Sequence, residues 1–259
     1  MVQKSKFSNL SGKAPASEIH QIDNVYMSTV AMCKIIKKLL KKSRAETVFD
    51  LGCGIGAQTL YFAKEFPNLK FVGLDYNSQS IEIANQLAAR LVITNAIFET
   101  QDVFNLSETL NTAPTKTALI SSHTLCCFKE FEPFFNKVFS FKPEWFAINS
   151  LFWKGNLDVL IHIRDWDNFK PDNAPDSDFN IFSKNKITNF CQTFNYSAHF
   201  DDFFPDVPLP EPADFRRGTY TLKTEINSKT QFSGPVHLPW SFLIAQRAAP
   251  LDFSNRVPD

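Results

Sequence analysis

Three of the chain's eight glycines fall within five residues: Gly52, Gly54 and Gly56, in the run FDLGCGIGAQTL. The run follows a short apolar segment and opens a helical one. In that setting glycines permit a tight turn and a close approach of backbone to ligand, with amide groups aimed outward at a helix N-terminus. Because glycine is scarce elsewhere, its concentration here marks more than a connector. Gly52-x-Gly54-x-x-Ala57 fits the relaxed dinucleotide fingerprint, and Asp75 stands about where a ribose-binding acid belongs. Asp50 argues against a dinucleotide. It lies two residues before Gly52, among Val48, Phe49 and Leu51, where a carboxylate is expensive to bury unless a cation or several donors satisfy it. A pyrophosphate would be repelled there, whereas a ligand carrying an ammonium group would complement it.

The run Asp50-Leu51-Gly52-Cys53-Gly54-Ile55-Gly56 resembles the first motif of class I S-adenosylmethionine-dependent methyltransferases, in which an acid precedes a G-x-G-x-G turn. The resemblance implies S-adenosylmethionine as cofactor, with Asp50, Gly52, Cys53 and Gly54 around its methionine portion. Asp75 ends the second strand, where the family's acid takes both ribose hydroxyls, and Tyr76 follows it beside the adenine. Gln101, Asp102 and Val103 close the next strand, where an Asp side chain and the following amide read the adenine edge. Ser121-Ser122-His123-Thr124-Leu125 ends the fourth strand and is similar to the S-H-x-L segment frequent there, which adds Ser121, Ser122 and His123 to the implied cofactor contacts. The matches run in the family's order and cover roughly Glu46 to Leu151. Ala118 departs from it, standing where an acid often begins the fourth strand.

A sulfonium already carries an activated methyl group, so the protein must hold an acceptor in line and exclude water. A hydroxyl acceptor also needs a base, and His123, at a strand's carboxyl end, is the candidate catalytic residue. It stands equally well as a flank of the cofactor. His162, in LDVLIHIRD, is half-buried packing or a pocket residue. His20, His199 and His237 lack acid or cysteine neighbours at ligand spacing, so no metal site is expected. Adjacent Cys126 and Cys127 have no Pro-Cys dipeptide and no cation on the near side, and read as small core residues. The Asn/Asp-Pro-Pro-aromatic motif of amino-methylating DNA enzymes is absent. Lys+Arg and Asp+Glu are both 27, a balance without the basic surplus of nucleic-acid binders. The expectation is a small-molecule methyl acceptor, modified at oxygen, with no nucleic acid and no membrane. Two other readings compete. A nicotinamide-dependent oxidoreductase leaves Asp50 unexplained, and a methyltransferase-like module would bind without transferring anything.

Regular elements must hold these residues in place. The chain has 259 residues, 44% of them hydrophobic, with 27 Phe, enough for a real core. Helical periodicity from about Asn24 to Lys42 sets Met32, Ile35, Ile36, Leu39 and Leu40 opposite a lysine-rich face. Strands are expected at Thr47–Leu51, Leu69–Leu74, Ala96–Thr100, Ala118–Ser121 and Trp145–Leu151. Helices are expected at about Ala57–Phe66, after Asn77 and Ser78, and at Lys129–Phe141. This alternation predicts an α/β fold with a mostly parallel sheet, and the resemblance implies that the sheet is doubly wound, seven-stranded and of Rossmann-like methyltransferase type.

The last third changes character. Arg164–Asn180 reads as an acidic loop, Ser183–Phe194 as a helix and Ser197–Phe204 as a strand. Pro205–Ala213 is too rich in proline for regular structure. Gly218–Ile226 and Trp240–Arg247 suggest a C-terminal β-hairpin insertion and an antiparallel last strand at the sheet edge. Residues 1–44 are expected to form a leader and helix capping the substrate side. Residues 45–259 form the Rossmann-like domain, with insertions at about 152–180 and 205–238. Arg164–Asn180 and Pro205–Arg217 are candidate lids, and Arg216-Arg217 is a surface pair or an anchor for an acidic group. Trp145, Phe152, Trp153 and Trp166 are core or pocket wall. Five cysteines without a C-x-x-C pair suggest a reducing compartment. With no apolar run near ~18 residues and a polar N-terminus lacking a signal-peptide core, a cytoplasmic location is expected.

Overall fold

The structure is a computed structural model that describes residues 25–105, 116–164, 176–202, 219–223, 229–233 and 236–248. Its centre is a strand buried at every position, β1 (Thr47–Leu51), flanked in parallel by β2 (Lys70–Asp75) and β4 (Thr117–Ser122). Outside these lie β3 (Ala96–Thr100), parallel to β2, and β5 (Trp145–Trp153), parallel to β4. A strand enclosed on both faces must be apolar throughout, which is why TVFDL and WFAINSLF read as continuous runs.

Helices cover both faces. On one, α1 (Met27–Leu40), α2 (Ala57–Glu65) and α3 (Ser78–Arg90) press Met32, Ile36, Leu60, Phe62 and Leu87 against Val48, Ile120 and Ala147. The Asn77 side chain caps α3 by accepting from the amides of Gln79 and Ser80. On the other face, α4 (Glu132–Ser140) and α5 (Lys184–Thr193) bury a phenylalanine cluster that includes Phe134, Phe135 and Phe139 over Phe49, Leu119 and Phe146. Each such ring contributes roughly 1.5–3 kcal/mol on burial. The helix expected from Lys129 begins three residues later, with Pro133 in its first turn. Proline is tolerated there because first-turn amides have no helical partner.

Two expectations need correction. The last strand, β13 (Trp240–Arg247), is not an edge: it lies antiparallel between β5 and β9 (Tyr196–Asp202), and β9 is the edge. Ser241 through Ala245 are all buried, as an interior strand requires. The main path therefore holds seven strands in the order β3-β2-β1-β4-β5-β13-β9. In addition, β8 (Phe182–Ser183) pairs with the end of β5. The acidic segment expected to be a loop begins and ends in strands, β6 (His162–Arg164) against β7 (Asp176–Asp178), with His162 Nδ1 3.0 Å from Asp178 Oδ1. A cross-strand side-chain contact of this kind supports the pairing of two segments whose composition does not favour strands. The expected hairpin forms from β10 (Thr219–Lys223) and β11 (Lys229–Ser233), and β12 (Val236–His237) joins it in a separate small sheet.

The N-terminal helix is an integral layer of the core. Its first turn approaches α2, with Thr29 Oγ1 3.4 Å from Gln58 Oε1, and its far end is tied to the opposite side of the sheet through Ser43 and Glu144. The expected leader, most of the two lids, Trp166, His20, Arg216 and Arg217 lie outside the described residues.

Candidate functional site

The site lies at the carboxyl ends of β1, β2, β4 and β5. Gly52, Gly54 and Gly56 all adopt positive φ, at 74°, 54° and 76°. At Gly52 a Cβ would sit 2.2 Å from Thr124 Oγ1, so the turn and the segment after β4 close on each other only because that position is bare. Above Gly54 a Cβ would meet nothing within 4 Å, which leaves open space over the centre of the turn. The Gly54 amide donates to Asp75 Oδ2 at 2.9 Å, and the Asn77 amide donates to Asp75 Oδ1 at 2.9 Å. Asp75 thus braces the glycine turn from the end of β2. Burial pushes its carboxyl up from the ordinary range, and these two amides oppose the shift.

Asp50 is 1% exposed. Among the described residues its carboxylate has one hydrogen-bond donor, the Thr59 hydroxyl of α2, at 2.6 Å. Burial raises its pKa to about 7, the Thr59 bond opposes the rise and the charge of Asp75 adds to it. An acid so poorly compensated is the place where a ligand cation gains most.

At the end of β3 the Gln101 amide donates to the Asp75 carbonyl at 2.9 Å. Asp102 turns its carboxylate onto its own loop, accepting from the Phe104 amide at 2.9 Å and from Asn105 Nδ2 at 3.1 Å. Tyr76, Cys53 and Val103 are half-buried beside these groups. Ser121 is fully buried and donates to the Leu51 carbonyl at 2.7 Å, joining β4 to the start of the turn. The expected cofactor residues therefore converge on one rim, with Asp75 linking the β2, β3 and glycine-turn contributions.

His123 ends β4 in a left-handed backbone conformation, φ 60°, uncommon for a residue with a side chain and concentrated at functional sites. Its amide donates to the Asn149 carbonyl at 2.9 Å. Its Nε2 lies 3.1 Å from Asn149 Nδ2, and its ring packs edge-on to Trp240 at 4.5 Å between centroids. Burial lowers its pKa to about 4. The residue keeps an exposed side, which tempers that shift without reversing it, so the ring is neutral at neutral pH.

Asn149 escapes a motif-based reading of the sequence. Its signal is nonetheless the one that marked Asp50: a polar residue in the middle of an apolar strand. It is 2% exposed, and its Oδ1 is buried without a hydrogen bond, as are the hydroxyls of Ser122 and Ser150. Ser122 and Asn149 are register partners on β4 and β5.

The other candidates lie apart from this chemistry. The thiols of Cys126 and Cys127 approach the His123 carbonyl at 3.4 and 3.5 Å, and Cys126 is buried, as expected of a small core residue. His162 is exposed on the β6–β7 ribbon and His199 is exposed on β9. Among the described residues no group of three or more His, Cys, Asp or Glu side chains is placed to hold a metal ion, and no helix is long and apolar enough to cross a membrane.

The residues present fit a sulfonium nucleoside with an amino-acid tail. An ammonium group supplies the counter-charge that Asp50 lacks, and the bare Gly54 leaves room for the tail. A pyrophosphate would add negative charge beside two acids already raised by burial.

Residues 42–170 match the profile of a family described as a methyltransferase domain. The fold is shared with solved structures of low sequence identity. An S-adenosylmethionine-dependent methyltransferase from Clostridium acetobutylicum is 10% identical, with TM-score 0.57 over 90% of this chain and 98% of that one. Magnesium protoporphyrin IX methyltransferase from Synechocystis, solved with bound S-adenosylmethionine, is 15% identical, with TM-score 0.50 over 92% and 86%. A methyltransferase from Methanosarcina mazei is 15% identical, with TM-score 0.51 over 80% and 95%. Comparison with curated proteins returned no match. Glycine turn, sheet order and family profile agree: the chain belongs to the class I S-adenosylmethionine-dependent methyltransferases, with S-adenosylmethionine as its cofactor.

Proposed function

We propose that the methyl acceptor is a small molecule and that transfer is to oxygen. The observation that carries this reading is His123, a neutral polar ring held against Trp240 at the end of β4, on the rim that Asp50 and Asp75 define. A neutral ring nitrogen beside an aromatic wall suits an acceptor with an apolar body that presents an oxygen to the ring. The balanced charge, 27 against 27, supports the same class over nucleic acid.

In this reading the cofactor when bound supplies an activated methyl group on sulfonium. Asp50 faces its ammonium group, and Gly52, Cys53 and Gly54 border its tail. Asp75 accepts from the ribose hydroxyls with the lone pairs its two amide partners leave free. Tyr76, Gln101, Asp102 and Val103 border the adenine, with the Val103 amide as donor because the Asp102 carboxylate is engaged within its own turn. Ser121, Ser122 and His123 close the β4 side, and His123 contacts the acceptor.

The helix α1, the described part of residues 1–44, contributes to a cap on the substrate side, and residues 45–259 are assigned to the catalytic domain with insertions near 152–180 and 205–238. The approach of Thr29 to the start of α2 supports the cap, because it places the entry of α1 on the site's side of the sheet. Five free thiols support a cytoplasmic location.

Incubating the protein with methyl-labelled S-adenosylmethionine and a metabolite extract tests the acceptor. Label on oxygen of a low-mass product is expected. Label found only on protein, only on nucleic acid or on carbon would overturn the reading.

A further inference from the structure

His123 and Asn149 are bonded twice, once through the backbone and once through side chains. The side-chain contact brings Asn149 Nδ2 to 3.1 Å from Nε2 of the ring and leaves Asn149 Oδ1 buried and unpaired. The reverse amide orientation would leave a buried NH2 group with both hydrogens unpaired, a costlier orphan than a carbonyl oxygen. With Nδ2 donating, Nε2 accepts, and a neutral imidazole then carries its proton on Nδ1. Among the described residues no group bonds Nδ1, and His123 keeps an exposed side. The nitrogen available to a ligand therefore bears a hydrogen. Taking up a second proton would place N–H on Nε2 against the Asn149 NH2 group.

We propose that Asn149 is a positioning residue that holds His123 in the Nδ1-protonated tautomer, so that the ring donates a hydrogen bond to the acceptor oxygen and removes no proton from it. The acceptor oxygen then arrives already ionised, and its class is a carboxylate. This rests on the small-molecule, oxygen-directed reading above and narrows it. The step balances without a base. The ionised oxygen bonds to the methyl carbon with its own lone pair, the breaking carbon–sulfur bond leaves its pair on sulfur, and a neutral ester forms with no proton released. The Nδ1–H bond holds the carboxylate in line as its charge is lost.

Ring-15N histidine labelling of the cofactor-free protein reads the tautomer directly. His123 is the signal pair absent from His123→Gln. The expected spectrum shows a protonated Nδ1 and an unprotonated Nε2. In Asn149→Asp the neighbour can only accept, so the two signals exchange and the ring pKa rises. An Nε2-protonated ring in the wild-type protein, or an unchanged tautomer in folded Asn149→Asp, overturns the role of Asn149. In the labelled-methyl experiment, label in an ester supports the acceptor class, and label in an ether overturns it. No label on oxygen, together with the expected tautomer, overturns the functional reading and leaves Asn149's effect on the ring intact. Asn149→Asp should also add an inflection to the pH profile of turnover that the wild-type protein lacks. Loss of turnover with an unchanged pH profile marks a merely structural residue and contradicts the proposal.

Discussion

The Gly54 amide and the Asp75 carboxylate are joined by a hydrogen bond of 2.9 Å that ties the second strand to the turn after the first. One acid thus shapes the glycine turn and presents its remaining lone pairs to the cleft. Asp75→Ala removes both functions. Cofactor affinity should fall by at least the ~1.5–3 kcal/mol of a charge-assisted hydrogen bond, about tenfold to a hundredfold or more. Asp75→Asn, whose amide oxygen still accepts from Gly54, should lose less. Calorimetric titration with S-adenosylmethionine checks the ranking, and equal affinity in all three proteins would remove Asp75 from the site.

Gly54→Val should abolish cofactor binding while the fold persists. The space above Gly54 is open, so the added side chain meets no protein atom within 4 Å but fills the cleft and strains a position at φ 54°. Backbone strain there costs on the order of 1–3 kcal/mol of stability. Circular dichroism confirms folding, and normal binding by the folded variant would contradict the close approach of ligand to this turn.

Asp50 gives the folded protein a signed pH dependence. Its pKa is about 7 in the fold against ~3.9 unfolded. Between those values the folded state holds a proton that the unfolded chain has released, so this group's contribution to stability declines as pH rises from about 4 to 7. Asp50→Asn should remove the decline. The variant's stability minus the wild type's should grow through that window, reach several kcal/mol, and level off above pH ~7. Denaturant unfolding across pH measures the difference, which isolates Asp50 from acids that titrate the other way. A ligand ammonium favours the ionised form, so wild-type cofactor affinity should rise with pH through about 7, and that of Asp50→Asn should be weaker and flatter.

His123→Ala should cut turnover by roughly tenfold to a hundredfold, the worth of one hydrogen bond to a charged group, with cofactor affinity changed far less. Steady-state turnover set beside calorimetric affinity separates the two. Equal losses would make His123 a cofactor contact only.

Most of the doubly wound core was legible because the central strands are near-continuous apolar runs and each helix carries one buried stripe. Thr47–Leu51 and Ala96–Thr100 fall where expected, and Asn77 caps α3 as its position suggested. The place of Trp240–Arg247 was misjudged because its position near the end of the sequence suggested an edge. Its run SFLIA carries buried residues toward both faces, the mark of an interior strand. The β6–β7 ribbon could not be read from composition, since its register depends on partners such as His162 and Asp178 that lie far apart in the chain. At the site, the glycines and two acids announced themselves by type and spacing. Asn149 shares with Asp50 only the signal of a polar residue inside an apolar strand, and what sets it apart is its contact with His123 after the end of β4, which no motif carries.

The account turns on the buried carboxylate of Asp50 meeting a ligand cation. A crystal structure of the protein grown with S-adenosylhomocysteine tests this most directly. Density should place the amino-acid tail over Gly54 with its ammonium at Asp50 and the ribose at Asp75. A nucleoside bound elsewhere, or a tail whose carboxylate rather than its ammonium faces Asp50, would contradict it.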